Sequence, residues 1–222
     1  MIKITIIHTS LVSHAHLNQL FREIIPEAKI HNIVDDSLLA EVSEAGHITP
    51  SITSRMCGYY QTAQQIGSNL IFNQCSSVGE AAEIAAKTVS IPVLRVDEAM
   101  AEKAVSLGKR IGVVATVAST VEPSCHLVRQ KAALARKEVE VVSYLVDGAM
   151  WALINEGQEK HNRLVKNEVL KAAEECDVVV LAQGSMVVLL PELSNISKPV
   201  LSSPGLGVRK ARLILFPEEY VE

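Results

Sequence analysis

The sequence predicts an α/β protein built on parallel sheets, and three observations carry that prediction. Short β-branched runs alternate with longer stretches of helical spacing along the chain. Runs such as "DVVVLAQ" are apolar almost throughout, as strands covered by helices on both faces must be, whereas exposed antiparallel strands would alternate. The chain also repeats itself. "RIGVVAT" (110–116) lies under "KITIIHT" (3–9) at an offset of 107, and "KPV" (198–200) lies under "IPV" (91–93) at the same offset. Between them "DVVVLAQGSM" (177–186) falls under "NLIFNQCSSV" (69–78) at 108, one residue gained and later lost. Duplication explains the match directly; shared βα grammar is the alternative source of so short a similarity.

In chain order, "IKITIIH" is the first strand, followed by a helix near 14–25 and the strand "KIHNIV". Helices are predicted across 36–67, then the strand "NLIFNQ", a helix from 78 and the strand "IPVLRV". The second half continues with "RIGVVAT", a helix after Thr116, and "RKEVEVVSYLV", whose charges form a solvated entry to a strand. "GAMWALINEG" has helical spacing, with Met150 and Trp151 expected to pack in a helical core rather than to act as a lid. "DVVVLAQ" closes the pattern.

Composition excludes several classes. A chain of 222 residues with 48% hydrophobic content and a formal net charge of −4 suits a folded globular protein. No apolar run approaches the roughly 18 residues of a membrane span, and "MIKITIIHTS" lacks a secretory pattern, so no membrane partner and a cytoplasmic location are expected. Mild acidity and the lack of a basic, aromatic-interleaved patch argue against nucleic acid and leave a small molecule as the expected partner. The four cysteines, Cys57, Cys75, Cys125 and Cys176, form no CxxC pair and no Cys/His cluster, so neither a disulfide framework nor a structural zinc site is encoded. His14 and His16 are spaced i, i+2 and do not share a helical face, so no metal is expected. "SSPGLGVRKARLIL" matches GxG only in part and does not follow a first strand, which leaves a nucleotide site unsupported. Asp97 and Glu98 are expected to place favourable charge at a helix start.

Open α/β sheets bind ligands at the carboxyl ends of their strands. The repeat names the residues expected there, in a cleft between the halves. The first half supplies His8, Thr9 and Ser10 after its first strand, and Cys75, Ser76 and Ser77 after its third. The second supplies Thr116, Gln183, Gly184 and Ser185. Small hydroxyl residues and backbone N–H groups at helix starts suit a carboxylate better than a cation.

Several segments carry a resemblance to a known family: "IIHTS", "ITPSITSRM", "NQCSSVGE", "IPVLRVDEAMAEKAV", "RIGVVAT", "LVDGAM" and "VLAQGSM". Together they resemble the aspartate/glutamate racemase superfamily, including its hydantoin racemase-like members. The resemblance implies two pseudo-symmetric, flavodoxin-like or Rossmann-like α/β domains with an interdomain cleft. On that pattern residues 1–97 plus 206–222 form the domain carrying Cys75, and 98–205 the domain carrying Gln183. It also implies an isomerase of amino-acid metabolism that uses no cofactor and takes a small carboxylate or amino acid; homo-oligomerisation stays open.

Such enzymes place two cysteines across the cleft, because inverting a carbon requires removing a proton from one face and delivering one to the other. A thiol with a reference pKa of about 8.5 serves this role near neutral pH. Cys75 matches the first of the pair, while the second position holds Gln183, a carboxamide that hydrogen-bonds but does not carry protons. Cys57, Cys125 and Cys176 read as packing residues, Cys125 reaching the cleft only if its helix begins late. His8 is expected beside Cys75, as a group that tunes the thiol or one that bonds only loop backbone; His126 and His161 are expected at the surface or between helices. Three functions follow: racemisation by Cys75 with another group; one-sided chemistry by Cys75 alone, as the resemblance to arylmalonate decarboxylases implies; or a carboxylate-binding module without catalysis.

Overall fold

The computed structural model describes residues 1–220. The first half runs β1 (Ile2–His8), α1 (His14–Ile24), β2 (Ala28–Val34), α2 (Ser37–Ala45), α3 (Pro50–Gln65), β3 (Leu70–Asn73), a 3-10 turn at Ser76–Val78, α4 (Gly79–Ala86) and β4 (Val93–Arg95). The second runs α5 (Glu98–Leu107), β5 (Arg110–Ala115), α6 (Ala118–Leu134), β6 (Glu140–Leu145), α7 (Ala149–Asn155), α8 (Gln158–Glu175), β7 (Val178–Leu181), a 3-10 turn at Gly184–Leu189, α9 (Leu190–Leu193) and β8 (Val200–Ser202). The helix α10 (Ser203–Leu215) ends the regular structure apart from a 3-10 turn at Pro217–Tyr220.

The chain divides into two compact units, residues 1–96 with the chain from Pro204 onward, and Asp97–Ser203. Each unit holds a four-stranded, all-parallel sheet. The orders are β2-β1-β3-β4 and β6-β5-β7-β8, the same topology twice. The registers reproduce the sequence offsets. Ile4 pairs with Leu70 and Ile111 with Val178, offsets of 107 and 108; Ile71 pairs with Val93 and Val179 with Val200, offsets of 108 and 107. The residue gained before β7 and lost before β8 therefore lies in connections and leaves the pairing untouched.

Strand alternation sorts the first unit's core into two layers. Ile4 and Ile6 of β1 and Leu70 and Phe72 of β3 pack on α1 and α10, where Phe21 and Phe72 meet edge to face at 5.0 Å. Ile7 and Ile71 face the other way, onto α2, α3 and α4. The edge strands β2 and β6 depart from the apolar-throughout expectation, with alternating exposure because a neighbour covers only one side.

Local chemistry sets the helix limits that matter below. Thr49 caps α3 by accepting the Ile52 N–H at 3.3 Å, and Pro50 follows at the first helical position. The "GLG" segment is helical. A Cβ on Gly207 would lie 2.6 Å from the Val96 carbonyl oxygen, so this glycine permits α10 to approach the chain at Val96.

Candidate active site

In the first unit β3 ends at Asn73, and Cys75 takes up extended backbone (φ −117°, ψ 123°) before the Ser76–Val78 turn. Asn73 fixes this corner: buried at the strand end, its Nδ2 donates to the Cys75 carbonyl at 2.9 Å. Cys75 is half-buried against the α2–α3–α4 layer, and Ser76 and Ser77 beside it are buried. Behind the turn, Gly79 opens α4. A Cβ there would lie 2.5 Å from the guanidinium of Arg95, so the missing side chain lets Arg95, 5% exposed and paired with Glu83 at 2.9 Å, lie against the start of this helix.

His8 and Thr9 end β1 and are buried, while Ser10 is half-buried. The contacts of His8 are with β2 and α1. Being two residues on from Ile6, it faces the α1 layer, where it bonds Asn32 at 2.8 Å and its ring lies 5.1 Å from that of His14. The hydrogen-bond chain settles its tautomer. Asn18 Nδ2 donates to the His14 carbonyl, so Asn18 Oδ1 accepts from Asn32 Nδ2, and Asn32 Oδ1 accepts from His8 Nε2–H. The other nitrogen, Nδ1, is then a lone pair with no partner. Burial, offset in part by the Asn32 bond and reinforced by His14, lowers the His8 pKa and favours the neutral ring.

The corresponding corner of the second unit repeats the backbone and changes the chemistry. Gln183 has the same extended conformation as Cys75 (φ −122°, ψ 144°) ahead of the Gly184–Leu189 turn. Its Oε1 accepts the Thr116 backbone N–H at 2.9 Å and lies 3.4 Å from Thr116 Oγ1, joining the ends of β5 and β7. A backbone N–H only donates, so the oxygen must face it and the amide NH₂ must face away. Thr116 is buried, and Gly184 and Ser185 are half-buried.

The other thiols lie elsewhere. Cys57 is inside α3; Cys176 is buried just ahead of β7; and α6 begins at Ala118, so Cys125 sits well inside it, 1% exposed, its thiol pKa pushed up by burial. His126 is exposed and His161 is buried on α8. Asp97 is the N-cap residue of α5 and Glu98 lies in its first turn, the helix-start placement expected of both, with Asp97 buried. Trp151 departs from expectation: on the short helix α7 it is 60% exposed. Sequence reading passed over Asn73, whose side chain sets the Cys75 corner, and Ser119 and Ser124 near the start of α6. Their signal was available as hydroxyls in the first two turns of the helix that follows β5. Among the described residues no group of three or more His, Cys, Asp or Glu is placed to hold a metal, and no helix is long and apolar enough to cross a membrane.

A family model for Asp/Glu/hydantoin racemases matches residues 4–211. The chain belongs to that family. Solved structures share its fold over nearly the whole length. A protein from Yersinia pestis proposed to be an Asp/Glu racemase superposes with a TM-score of 0.76 at 14% identity, covering 97% of this chain and 100% of its own. The allantoin racemase from Klebsiella pneumoniae gives 0.70 at 16% identity, with 98% and 89% covered. A point mutant of arylmalonate decarboxylase gives 0.65 at 15% identity, with 96% and 92% covered. At these identities the likeness speaks for the fold. No curated protein sequence matches the chain.

Proposed function

We propose that the protein is a racemase-like isomerase acting, without a cofactor, at the carbon next to the carboxylate of a small amino acid or related acid, with Cys75 as the thiol acid/base. The observation that carries this reading is the Cys75 corner: a half-buried thiol after the third strand, its backbone pinned by Asn73, in a chain of the racemase family. For inversion the thiolate takes the proton from carbon, the C–H electron pair moves into the carboxylate as an enediolate, and a second donor delivers a proton to the opposite face of the carbon, because the S–H bond just formed returns its proton only to the face it came from. Within the unit that carries Cys75, the donors assigned to the substrate's oxygens are Thr9, Ser10, Ser76 and Ser77. A substrate N–H is assigned to the neutral His8 acceptor.

Gln183 favours a second reading, in which Cys75 protonates one face only, as a decarboxylase requires. Incubation of a panel of small amino acids and malonates in D₂O separates the two. Deuterium entering with inversion supports the isomerase. Entry with retention, or carbon dioxide release with one enantiomer formed, supports one-sided chemistry. A protein that binds a carboxylate and catalyses neither is a binding module, and the enzyme reading fails.

A further inference from the structure

In the first unit two buried acceptors stand side by side under the start of α1. Strand order places β1 between β2 and β3, and the pairing of β1 with β3 continues past Asn73, because the Gln74 N–H donates to the Ile7 carbonyl at 3.0 Å. His8 and Gln74 are therefore neighbours on adjoining strands, about 4.8 Å apart in the pairing direction. Both side chains lie on the α1 side of the sheet, His8 two residues on from Ile6 and Gln74 two on from Phe72. Both also reach the first residues of that helix. The His8 ring stands 5.1 Å from that of His14, and Gln74 Nε2 donates to Oγ of Ser13, the N-cap residue, at 2.5 Å.

A row of side-chain hydrogen bonds runs outward from each of them and is interrupted between them. On one side His8 Nε2–H donates to Asn32, Asn32 to Asn18, and Asn18 to the His14 carbonyl. On the other the Gln74 amide spends an N–H on Ser13, which leaves its Oε1 as an acceptor. His8 Nδ1, a lone pair by the tautomer derived above, and Gln74 Oε1 are both enclosed and both without a partner, and His8 is wholly buried. Two acceptors cannot bond each other. The other unpartnered side-chain atoms described in this unit belong to the opposite layer. Asn73 shares a face with Ile71 and His31 with Ile33, Tyr60 packs there from α3, and Arg55 is bonded to Asp35 and Glu41.

We propose that His8 and Gln74 form a proton-operated latch on the β1–α1 connection: a proton on Nδ1 turns one of the two acceptors into a donor, Nδ1–H bonds Gln74 Oε1, and the row closes. Its position gives this bond its effect. The connection Thr9–Val12 leaves from His8 and returns at Ser13, which Gln74 already holds, so the new bond ties both ends of the loop to one side chain. Leu11 and Val12 are 62% and 77% exposed, and little packing holds the loop while the latch is open. Protonation breaks no existing bond, since Nε2–H keeps Asn32. Burial and, in smaller part, His14 oppose the charge while the Asn32 bond favours it, which places closure below the ordinary imidazole value of about 6.5. Among the described residues of the elements packed on His8, β2 brings Asn32 and β3 Gln74, neither of which titrates. From α1 comes His14, with His16 exposed on another face; α10 brings Val208 and Ala211, its Arg212 being bonded to Ile24 and Glu27 at the far end of α1. Asp35, whose N–H takes the His8 carbonyl, turns its carboxylate to Arg55 and Tyr59. The lone pair is the one assigned above to a substrate N–H, so on that reading closure also withdraws the substrate's acceptor.

The imidazole resonances of ¹⁵N-labelled protein report the latch directly. Above its titration the wild type should show the Nε2–H tautomer at His8, and below it a proton on both nitrogens. Gln74→Glu sets a carboxylate beside Nδ1 and should raise the His8 midpoint by about one pH unit or more. Gln74→Leu removes the acceptor and should lower the midpoint; a purely structural role of Gln74 predicts no such opposed pair. His14→Asn should raise it by removing a neighbouring positive charge, and should leave the effects of the Gln74 variants intact. Across the wild-type midpoint the backbone amide exchange of Leu11 and Val12, corrected for the intrinsic effect of pH, should slow roughly tenfold, as one charge-assisted hydrogen bond allows. In Gln74→Leu it should not slow. These readings are taken on folded protein, checked by circular dichroism at pH 8, and none requires turnover. A working latch in a protein that catalyses no deuterium exchange would uphold the latch and count against the enzyme reading alone. An Nδ1–H tautomer at pH 8, a midpoint that neither Gln74 variant moves, or loop exchange indifferent to the titration would overturn the latch and leave the two acceptors to a buried water.

Discussion

Alanine at Gly79 should destabilise the protein, although alanine is the better helix former. In the interior of an exposed helix the change gains about 1 kcal/mol. At Gly79 the new Cβ would lie 2.5 Å from three guanidinium atoms of Arg95, closer than real Cβ atoms come to anything. Arg95 has little room to retreat: it is 5% exposed and held by Glu83 at 2.9 Å. Overpacking of an enclosed site costs about 1–3 kcal/mol, and displacing a buried guanidinium from its carboxylate adds to this. The steric term wins, leaving a net loss of about 1–2 kcal/mol. For a chain of this size that is a fall in Tm of roughly 2–8 °C, read by circular dichroism. Gly58→Ala is the internal control. Gly58 lies in α3, exposed, with nothing within 4 Å of a built Cβ, so alanine there should stabilise by about 0.5–1 kcal/mol. Equal stabilisation at both positions would refute the steric account of the glycine in "SSVGE".

Tyr59→Phe should cost about 1–1.5 kcal/mol at pH 7, since its hydroxyl donates to Asp35 at 2.6 Å. Burial opposes the charge on Asp35, yet bonds from Ser37 and Tyr59 and the Arg55 charge hold its pKa below the usual value. Its contribution is therefore present above about pH 4 and lost as pH falls through the lowered folded value, so urea unfolding should show the Tyr59→Phe penalty shrinking in acid; a penalty unchanged down to pH 2 would contradict the assignment. His8 has the reverse chemistry. Its folded pKa is lowered, so the unfolded chain binds the extra proton and stability should decline as pH drops below about 6.5 towards the folded value. The slope of unfolding free energy between pH 7 and 5 should be shallower in His8→Gln, and an identical slope would show that the ring is not held neutral.

The parallel sheets were legible because periodicity and register share a cause: a strand buried on both faces leaves an apolar run, and two such runs at a constant offset imply the same pairing twice. Cys75 and Gln183, matched at an offset of 108, prove to be backbone equivalents ahead of equivalent turns. Side-chain direction was less visible. Alternation from Ile6 turns the His8 side chain to the α1 layer, a direction already present in "IIHTS" that the motif reading did not use. Trp151 was expected in the core; the short helix α7 leaves it outside, because packing of so few residues is decided by neighbours that sequence spacing does not specify. The Gln183–Thr116 bond joins connections 67 residues apart, and only the sheet brings them together.

The identity of the reacting group is tested most directly by the rate at which deuterium enters the carbon next to the carboxylate of a turned-over substrate, compared across four single variants. Cys57→Ala, Cys125→Ala and Cys176→Ala should retain exchange within about tenfold of wild type once folded, and Cys75→Ala should lose it by roughly 10²–10⁴-fold, the contribution of a general acid/base. Exchange that survives in Cys75→Ala at the wild-type rate would contradict the account.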